Sequence, residues 1–199
     1  MSRPVTLRDL SGQSAAPAPL SETALILVDA QNTYREGVMA LDGVEAALQR
    51  CAELLERARR ANVPVIHIQH DSGPGTPYDI RARIGAIAGE VAPRAGEPVV
   101  VKNFPNSFVG TDLDARLKAA GRQQLIVAGF MTHMCINSTA RGAFNLGYGV
   151  TVAGDTTATR ALPGADGGIV AANLVQAAAL AALGDLFAVV VPQASDIPD

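Results

Sequence analysis

Three residues of this 199-residue chain have side chains suited to nucleophilic catalysis, and they fall at comparable places in its pattern. Asp29 follows the apolar run Ala24-Leu25-Ile26-Leu27-Val28, and Lys102 follows Val99-Val100-Val101. Cys135 follows a third run by way of Gly129-Phe130-Met131-Thr132-His133-Met134, where a helix is expected to begin. A thiol at a helix start faces unpaired backbone N–H groups and the positive end of the helix dipole, both of which favour thiolate. A carboxylate beside it can accept the thiol proton, and an ammonium favours the charged forms of both neighbours. Amides of the same helix terminus can serve as an oxyanion hole. Singly, each residue has an ordinary structural reading: a packed thiol, a capping aspartate, a lysine that snorkels outward. Together at one sheet edge they describe a nucleophilic hydrolase.

The remaining candidates are weaker. Cys51 lies in the apolar stripe of a helix and reads as a small hydrophobe. His67 and His70 are three apart in a strand, so they point to opposite faces and do not share an ion. His67 reads as a core residue and His70 as a pocket residue at the functional edge. No Asp-x-His with a further His occurs near them, so no metal is expected. Gly-x-Gly-x-x-Gly is absent, and the Gly-rich stretch 164–168 lacks a following Lys-Ser/Thr, so no dinucleotide or other cofactor is expected.

The elements that must position these residues follow from periodicity. Mainly apolar segments at 24–28, 63–69, 99–101, 124–128, 149–153 and 187–191 read as six strands, and the unbroken run 24–28 as one covered on both faces. Helical periods occupy 43–61, 113–120, 134–146 and 166–183, and glycines stop several of them. The loop 71–78 is rich in Gly and Pro. Strands alternating with helices predict an α/β fold with a mostly parallel sheet and helices on both faces. Ligands in such sheets bind beyond the carboxyl ends of the strands, near a switch in strand order. That rule points to Asp29, His70, Lys102 and the segment after Gly129. Residues 1–22, small and Pro-containing over 11–19, read as an N-terminal arm, and 23–199 as one hydrolase domain.

Composition bounds the rest. At 48% hydrophobic and 18% charged, the chain is not a disordered one. A formal net charge of −3 gives no field that would draw nucleic acid or an anionic membrane. Two cysteines make no disulfide framework. No charged-then-apolar leader opens the chain, and the apolar stretch 169–183 is shorter than the roughly 20 residues a bilayer requires. A soluble, cytoplasmic protein with reduced thiols is expected.

The segment from Ala24 through Asp29-Ala30-Gln31-Asn32 resembles the opening strand and Asp-x-Gln-Asn motif of isochorismatase-like cysteine hydrolases. Lys102-Asn103-Phe104-Pro105-Asn106-Ser107-Phe108-Val109-Gly110-Thr111 resembles their lysine segment. Gly129-Phe130-Met131-Thr132-His133-Met134-Cys135 resembles their cysteine signature, and the order of all three matches. The resemblance implies the Rossmann-like, six-stranded fold of that family and an Asp29, Lys102, Cys135 triad. It implies that Asp29 takes the thiol proton, that Cys135 attacks a carbonyl to form a thioester, and that water hydrolyses it. It further implies a non-proline cis bond at Phe130–Met131 and an oxyanion hole of backbone N–H groups at Met131 and Cys135.

Departures narrow the reading. Gln69-His70-Asp71-Ser72-Gly73 stands where metal-dependent nicotinamidases carry their ligand motif, and Cys135 stands where true isochorismatases have no nucleophile. His133 stands where many relatives have an acid. What remains is a metal-independent hydrolase of small amides, carbamoyl compounds or lactams. Tyr34, His70, Phe104, Phe108 and His133 are the substrate-binding candidates, with Met131 beside them, a mainly apolar set suited to a small planar or cyclic substrate. Two alternatives are an enol-ether hydrolase that uses Asp29 as proton donor without the cysteine, and a non-catalytic thiol sensor. A homo-oligomer, dimer or tetramer, is expected, with a small molecule as substrate and no nucleic acid or membrane partner.

Overall fold

The computed structural model describes residues 4–199. A short helix α1 (Leu7–Leu10) opens the described chain. It is followed by β1 (Thr23–Val28), α2 (Val44–Arg60), β2 (Val65–His70), β3 (Val99–Lys102) and α3 (Leu113–Ala119). Then come β4 (Gln124–Phe130), α4 (Asn137–Asn145), β5 (Gly149–Ala153), β6 (Thr157–Ala158), β7 (Leu162–Pro163), β8 (Ile169–Val170), α5 (Ala172–Gly184) and β9 (Val189–Val191). The fold is α/β. Six strands run parallel in the order β3-β2-β1-β4-β5-β9, and the two-residue β6 adds a seventh beside the end of β4.

Alternation along β1 explains the layering. Leu25 and Leu27 enter one apolar cluster with Leu48, Cys51, Leu54 and Leu55 of α2. Ala24, Ile26 and Val28 enter the other, with Leu113 and Leu117 of α3 and Ala140 and Ala143 of α4. Both faces are covered, so all six β1 residues are buried, as a central parallel strand requires. The chain runs outward from β1 through β2 to β3, then returns to lay β4 on its other side. The switch in strand order therefore falls between β1 and β4, whose register pairs Val28 with Gly129.

Gly129 is required at that point. Its φ is +113°, and a Cβ there would lie 2.0 Å from the Val28 carbonyl oxygen. The sequence pattern ends this strand at 128, but β4 continues through the glycine to Phe130, because Gly129 and Phe130 pair with Thr157 and Ala158 of β6. The other sizeable departure is the last helix. A helical period over 166–183 is expected, yet α5 begins at Ala172 and 162–170 forms the β7–β8 hairpin. Gly167 turns with φ +82°, Gly164 N–H donates to the Gly168 carbonyl (2.8 Å), and Asp166 Oδ1 accepts from Gly168 N–H (2.9 Å). These local bonds and the positive φ end the helical period early.

The segment before β1 is tied to the body of the protein. Leu7 and Arg8 N–H groups donate to the Asp185 side chain and carbonyl, and the Arg8 guanidinium donates to the Leu186 carbonyl. Cys51 is fully buried and donates to the Thr156 carbonyl (3.2 Å). His67 is buried against Glu97, with Nε2 3.0 Å from Oε2. Among the described residues, no helix is long and apolar enough to cross a membrane.

Candidate active site

Asp29 is the first residue past β1, at the strand switch. Its φ of +49° lies in the left-handed region, unusual for a side chain this size. Backbone bonds hold it: Asp29 N–H donates to Ile68 C=O (3.0 Å), and Gln31 N–H donates to Asp29 C=O (2.8 Å). The buried Gln31 side chain then fastens the ends of β1 and β2 together. Its Nε2 donates to the His70 and Gly85 carbonyls (3.0 and 2.7 Å), and its Oε1 accepts from His70 N–H (2.9 Å).

Lys102 is the last residue of β3, two strands away, paired in register with His70. Its long side chain reaches inward to the switch and is fully buried. Nζ lies 2.7 Å from Asp29 Oδ2, 3.0 Å from His70 Nδ1 and 3.3 Å from Cys135 Sγ. An ammonium has three protons and no lone pair, so these three partners saturate it. His70 Nδ1 must then accept. The ring is neutral, with its proton on Nε2, which donates to Ser72 Oγ (3.0 Å). Burial, and next to it the Lys102 charge, pull the His70 pKa down to about 4.

Cys135 sits in a single wide helical turn, Thr132–Ile136, that precedes α4. The Phe130–Met131 peptide is cis. The Met131 carbonyl accepts from Met134 N–H (3.0 Å) and, five residues on, from Ile136 N–H (3.2 Å). Such π-type turns recur at functional sites. Cys135 is 5% exposed. The sequence pattern favours a lowered thiol pKa at this helix start, but burial, followed by the neighbouring Asp29 carboxylate, pushes it up to about 12. Burial likewise raises the Asp29 pKa against the opposing pull of Lys102. Apart from the ion pair with Lys102, the Asp29 oxygens have no hydrogen-bond partner among the described residues.

Asp29, His70 and Cys135 present ligand-type atoms within 4.8 Å of one another. They converge on a point already taken by Lys102 Nζ, so an ion could use them only by displacing the ammonium.

Aromatic rings extend the site. His70 packs edge-to-face on Tyr78 (4.9 Å between ring centres), Tyr78 on Tyr34 (5.9 Å), and Tyr34 on Phe130 (5.7 Å). Tyr34 is almost wholly buried within this strip, and burial holds its hydroxyl well above the usual range. His133 Nδ1 bonds to Thr159 Oγ1 (2.5 Å) just past β6. Phe108 stacks on Tyr148, whose hydroxyl donates to Asp114 of α3, so its ring is engaged on the helix layer. Phe104 is 55% exposed on the loop after β3. Thus the structure gathers Asp29, Lys102, Cys135, His70 and Tyr34, sets Met131 and His133 alongside, stacks Phe108 on Tyr148 and leaves Phe104 exposed on the loop after β3. Sequence reasoning passed over Tyr78, which ends a Gly/Pro loop with no periodic signal, and the role of Gln31, whose only signal was its place in the Asp-x-Gln-Asn motif.

Comparison with known proteins agrees with this architecture. An isochorismatase domain is matched over residues 23–194. The secreted isochorismatase effector of Verticillium dahliae is 34% identical over 94% of this chain and 96% of its own length. A streptothricin hydrolase of Streptomyces noursei is 37% identical over 88% of this chain and 64% of its own. The ureidoacrylate amidohydrolase of Azorhizobium caulinodans is 32% identical over 67% of this chain and 77% of its own. Among solved structures, an isochorismatase of Pseudomonas putida superposes with a TM-score of 0.93 at 37% identity, over 97% of this chain and 99% of that one. The N-carbamoylsarcosine amidase of Thermoplasma acidophilum superposes with a TM-score of 0.64 at 27% identity, over 70% of this chain and 85% of that one. With a domain match across most of its length and relatives above 30% identity, this chain belongs to the isochorismatase family of hydrolases.

Proposed function

We propose that the protein is a metal-independent cysteine amidohydrolase that cleaves a C–N bond in a small amide, carbamoyl compound or lactam. The observation that carries this reading is the saturated Lys102 ammonium, in contact with Asp29, Cys135 and neutral His70 at once. In the resting enzyme the buried cluster holds an ionised Asp29, the Lys102 cation and a neutral thiol. Transfer of the thiol proton to Asp29 leaves the same net charge, with the thiolate now facing the ammonium. No ion has to enter or leave the low-dielectric site, which lowers the cost of forming a thiolate from so weak an acid.

The thiolate attacks the substrate carbonyl, and backbone N–H groups at Met131 and Cys135 receive the developing oxyanion. Collapse of the tetrahedral intermediate breaks the C–N bond, and Asp29 passes its proton to the leaving nitrogen. Asp29, ionised again, then deprotonates a water that attacks the thioester, and Cys135 regains a proton as the acid leaves. His70 contributes as an acceptor that fixes one ammonium proton, and Tyr34 and Tyr78 wall the acyl side. The names of relatives that act on ureidoacrylate and on N-carbamoylsarcosine support C–N chemistry of this kind.

The test is ammonia release from a panel of small amides, carbamoyl compounds and ureides, with wild type and Cys135→Ala, with and without chelator. Release by wild type alone, indifferent to chelator, is expected. Full turnover by Cys135→Ala overturns the thioester mechanism, and a chelator-sensitive rate overturns metal independence.

A further inference from the structure

The last helix is apolar on every side. Residues 167–184 contain no Asp, Glu, Lys, Arg or His, in a chain that is 18% charged. One face of α5, with Ala172, Val175, Ala179 and Leu183, is buried on the body of the protein. The opposite face is bare. Leu174 is 59% exposed, and Ala177, Ala178, Ala181 and Ala182 are exposed beyond it. On the β7–β8 hairpin just before the helix, Ile169 is 84% exposed. A helix that is apolar all round normally has its whole circumference covered, and contiguous exposed apolar surface marks an interaction site.

A groove lies next to this projection. Its volume is about 470 Å³, and it is lined by Ala46 and Ala47 of α2, Ala158 of β6, and Ala172, Asn173 and Gln176 of α5. Gln176 Nε2 donates to Thr157 Oγ1 (2.9 Å), which fixes α5 against β6 and keeps the groove formed. None of its charged lining residues, Asp42, Arg50 and Asp155, comes from α5. The groove also reaches Thr159, whose hydroxyl bonds to His133 beside the active site.

We propose that this face is the interface of a twofold dimer, occupied by a second copy of the chain. A projection and a groove adjacent on one surface are what an isologous contact requires. Rotation about an axis through α5 seats the Ile169–Leu174 projection of each copy in the groove of the other. The small alanines let two α5 helices approach closely. The charge pattern selects this occupant. A face without ions meets its own twin with no like-charge repulsion and buries no unpaired ion on closing. It offers nothing to a phosphate backbone or a charged peptide. The ends of the described chain are engaged elsewhere: Asp199 pairs with Arg57 near the far end of α2, and Leu7 N–H donates to Asp185 past the end of α5. The second copy closes over the outer side of the wall that carries His133. None of this depends on the amidohydrolase reading.

The mass in solution tests the interface, by light scattering at micromolar concentration. The wild type is expected to show an even multiple of the chain mass. Leu174→Glu on the projection and Ala46→Glu on the groove are each expected to halve it, raising the dissociation constant by about 100-fold or more. Both positions are exposed in the first turn of a helix, where a glutamate suits the dipole, so each variant is expected to keep the circular dichroism of the wild type. A monomeric wild type overturns the proposal. That includes a monomer that sediments with phosphatidylcholine vesicles, for which the face serves a lipid surface instead. Retention of the wild-type mass by either Leu174→Glu or Ala46→Glu overturns it as well, since the subunit contact then lies elsewhere.

Discussion

Lys102 Nζ lies 2.7 Å from Asp29 Oδ2, and neither side chain has any solvent exposure. The two residues come from the ends of β3 and β1, with β2 between them, so the ion pair spans the carboxyl edge of three strands. A buried pair of this kind adds little stability over an apolar pair, but breaking one side is costly because the other charge is left uncompensated.

Lys102→Met should therefore do two separable things. Turnover is expected to fall by about 10³-fold or more, since both the thiolate and the Asp29 carboxylate lose their counter-charge. Unfolding free energy in urea should drop by about 3–5 kcal/mol. The double variant Asp29→Asn with Lys102→Met is expected to regain part of the stability and none of the activity. A single Lys102→Met variant as stable as wild type would show that the pair is not held in a dry environment.

The thiol gives a second test. Burial and the adjacent carboxylate push Cys135 up to about 12, so the resting nucleophile is a thiol and forms thiolate only as Asp29 takes its proton. Alkylation of the free enzyme by iodoacetamide should be slow at pH 7 and climb without a plateau through pH 9. Rapid acid quench during turnover should leave an acyl mass on Cys135, absent from Cys135→Ser. An alkylation rate that levels off below pH 7 would mean a resting thiolate and a different division of labour with Asp29.

His70 supplies a third, independent of substrate. Its folded pKa is held down to about 4, first by burial and then by Lys102, against about 6.5 for an unfolded histidine. The unfolded chain thus takes up this proton first, and the contribution to stability falls as pH drops from about 6.5 to about 4. Imidazole resonances should report a neutral ring protonated at Nε2, with no titration between pH 5.5 and 8. A midpoint near 6.5 would mean that Nδ1 does not accept from Lys102.

How much of this was legible in the sequence depends on how local the cause was. β1 could be read residue by residue, because a strand covered on both faces needs an unbroken apolar run. Asp29 and Lys102 could be placed at one edge because each follows an apolar run directly, and Cys135 because the helix it opens follows another. The start of α5 could not, since the helical period ran on into 166–171 and only the Gly164–Gly168 turn, an interaction of the folded hairpin, stopped it. Gln31 and Tyr78 escaped for another reason. Gln31 acts on backbone 39 and 54 residues away, and Tyr78 matters through its packing on His70 and Tyr34. Neither is a pattern within one stretch of chain.

The opposite end of the sheet carries the last prediction. Glu97 accepts from Arg59, from the Arg94 N–H and from His67, and the Arg59 guanidinium, the strongest of these, holds its carboxyl at about 2. A carboxylate depressed below its unfolded value of about 4.3 contributes stability that is complete above that value and is lost as pH falls toward the folded one. His67 is buried on the strand side of this carboxylate, with its own pKa lowered by burial. Glu97→Gln is expected to lower the melting temperature at pH 7 and to flatten the decline in stability between about pH 4.5 and 2. Because the Glu97 cluster lies at the amino end of β3 and Lys102 at its carboxyl end, turnover per folded molecule should be retained. If the wild type and Glu97→Gln decline in parallel below pH 4.5, the acid sensitivity of the fold lies elsewhere, and the Arg59–Glu97 bond is a surface contact of little consequence.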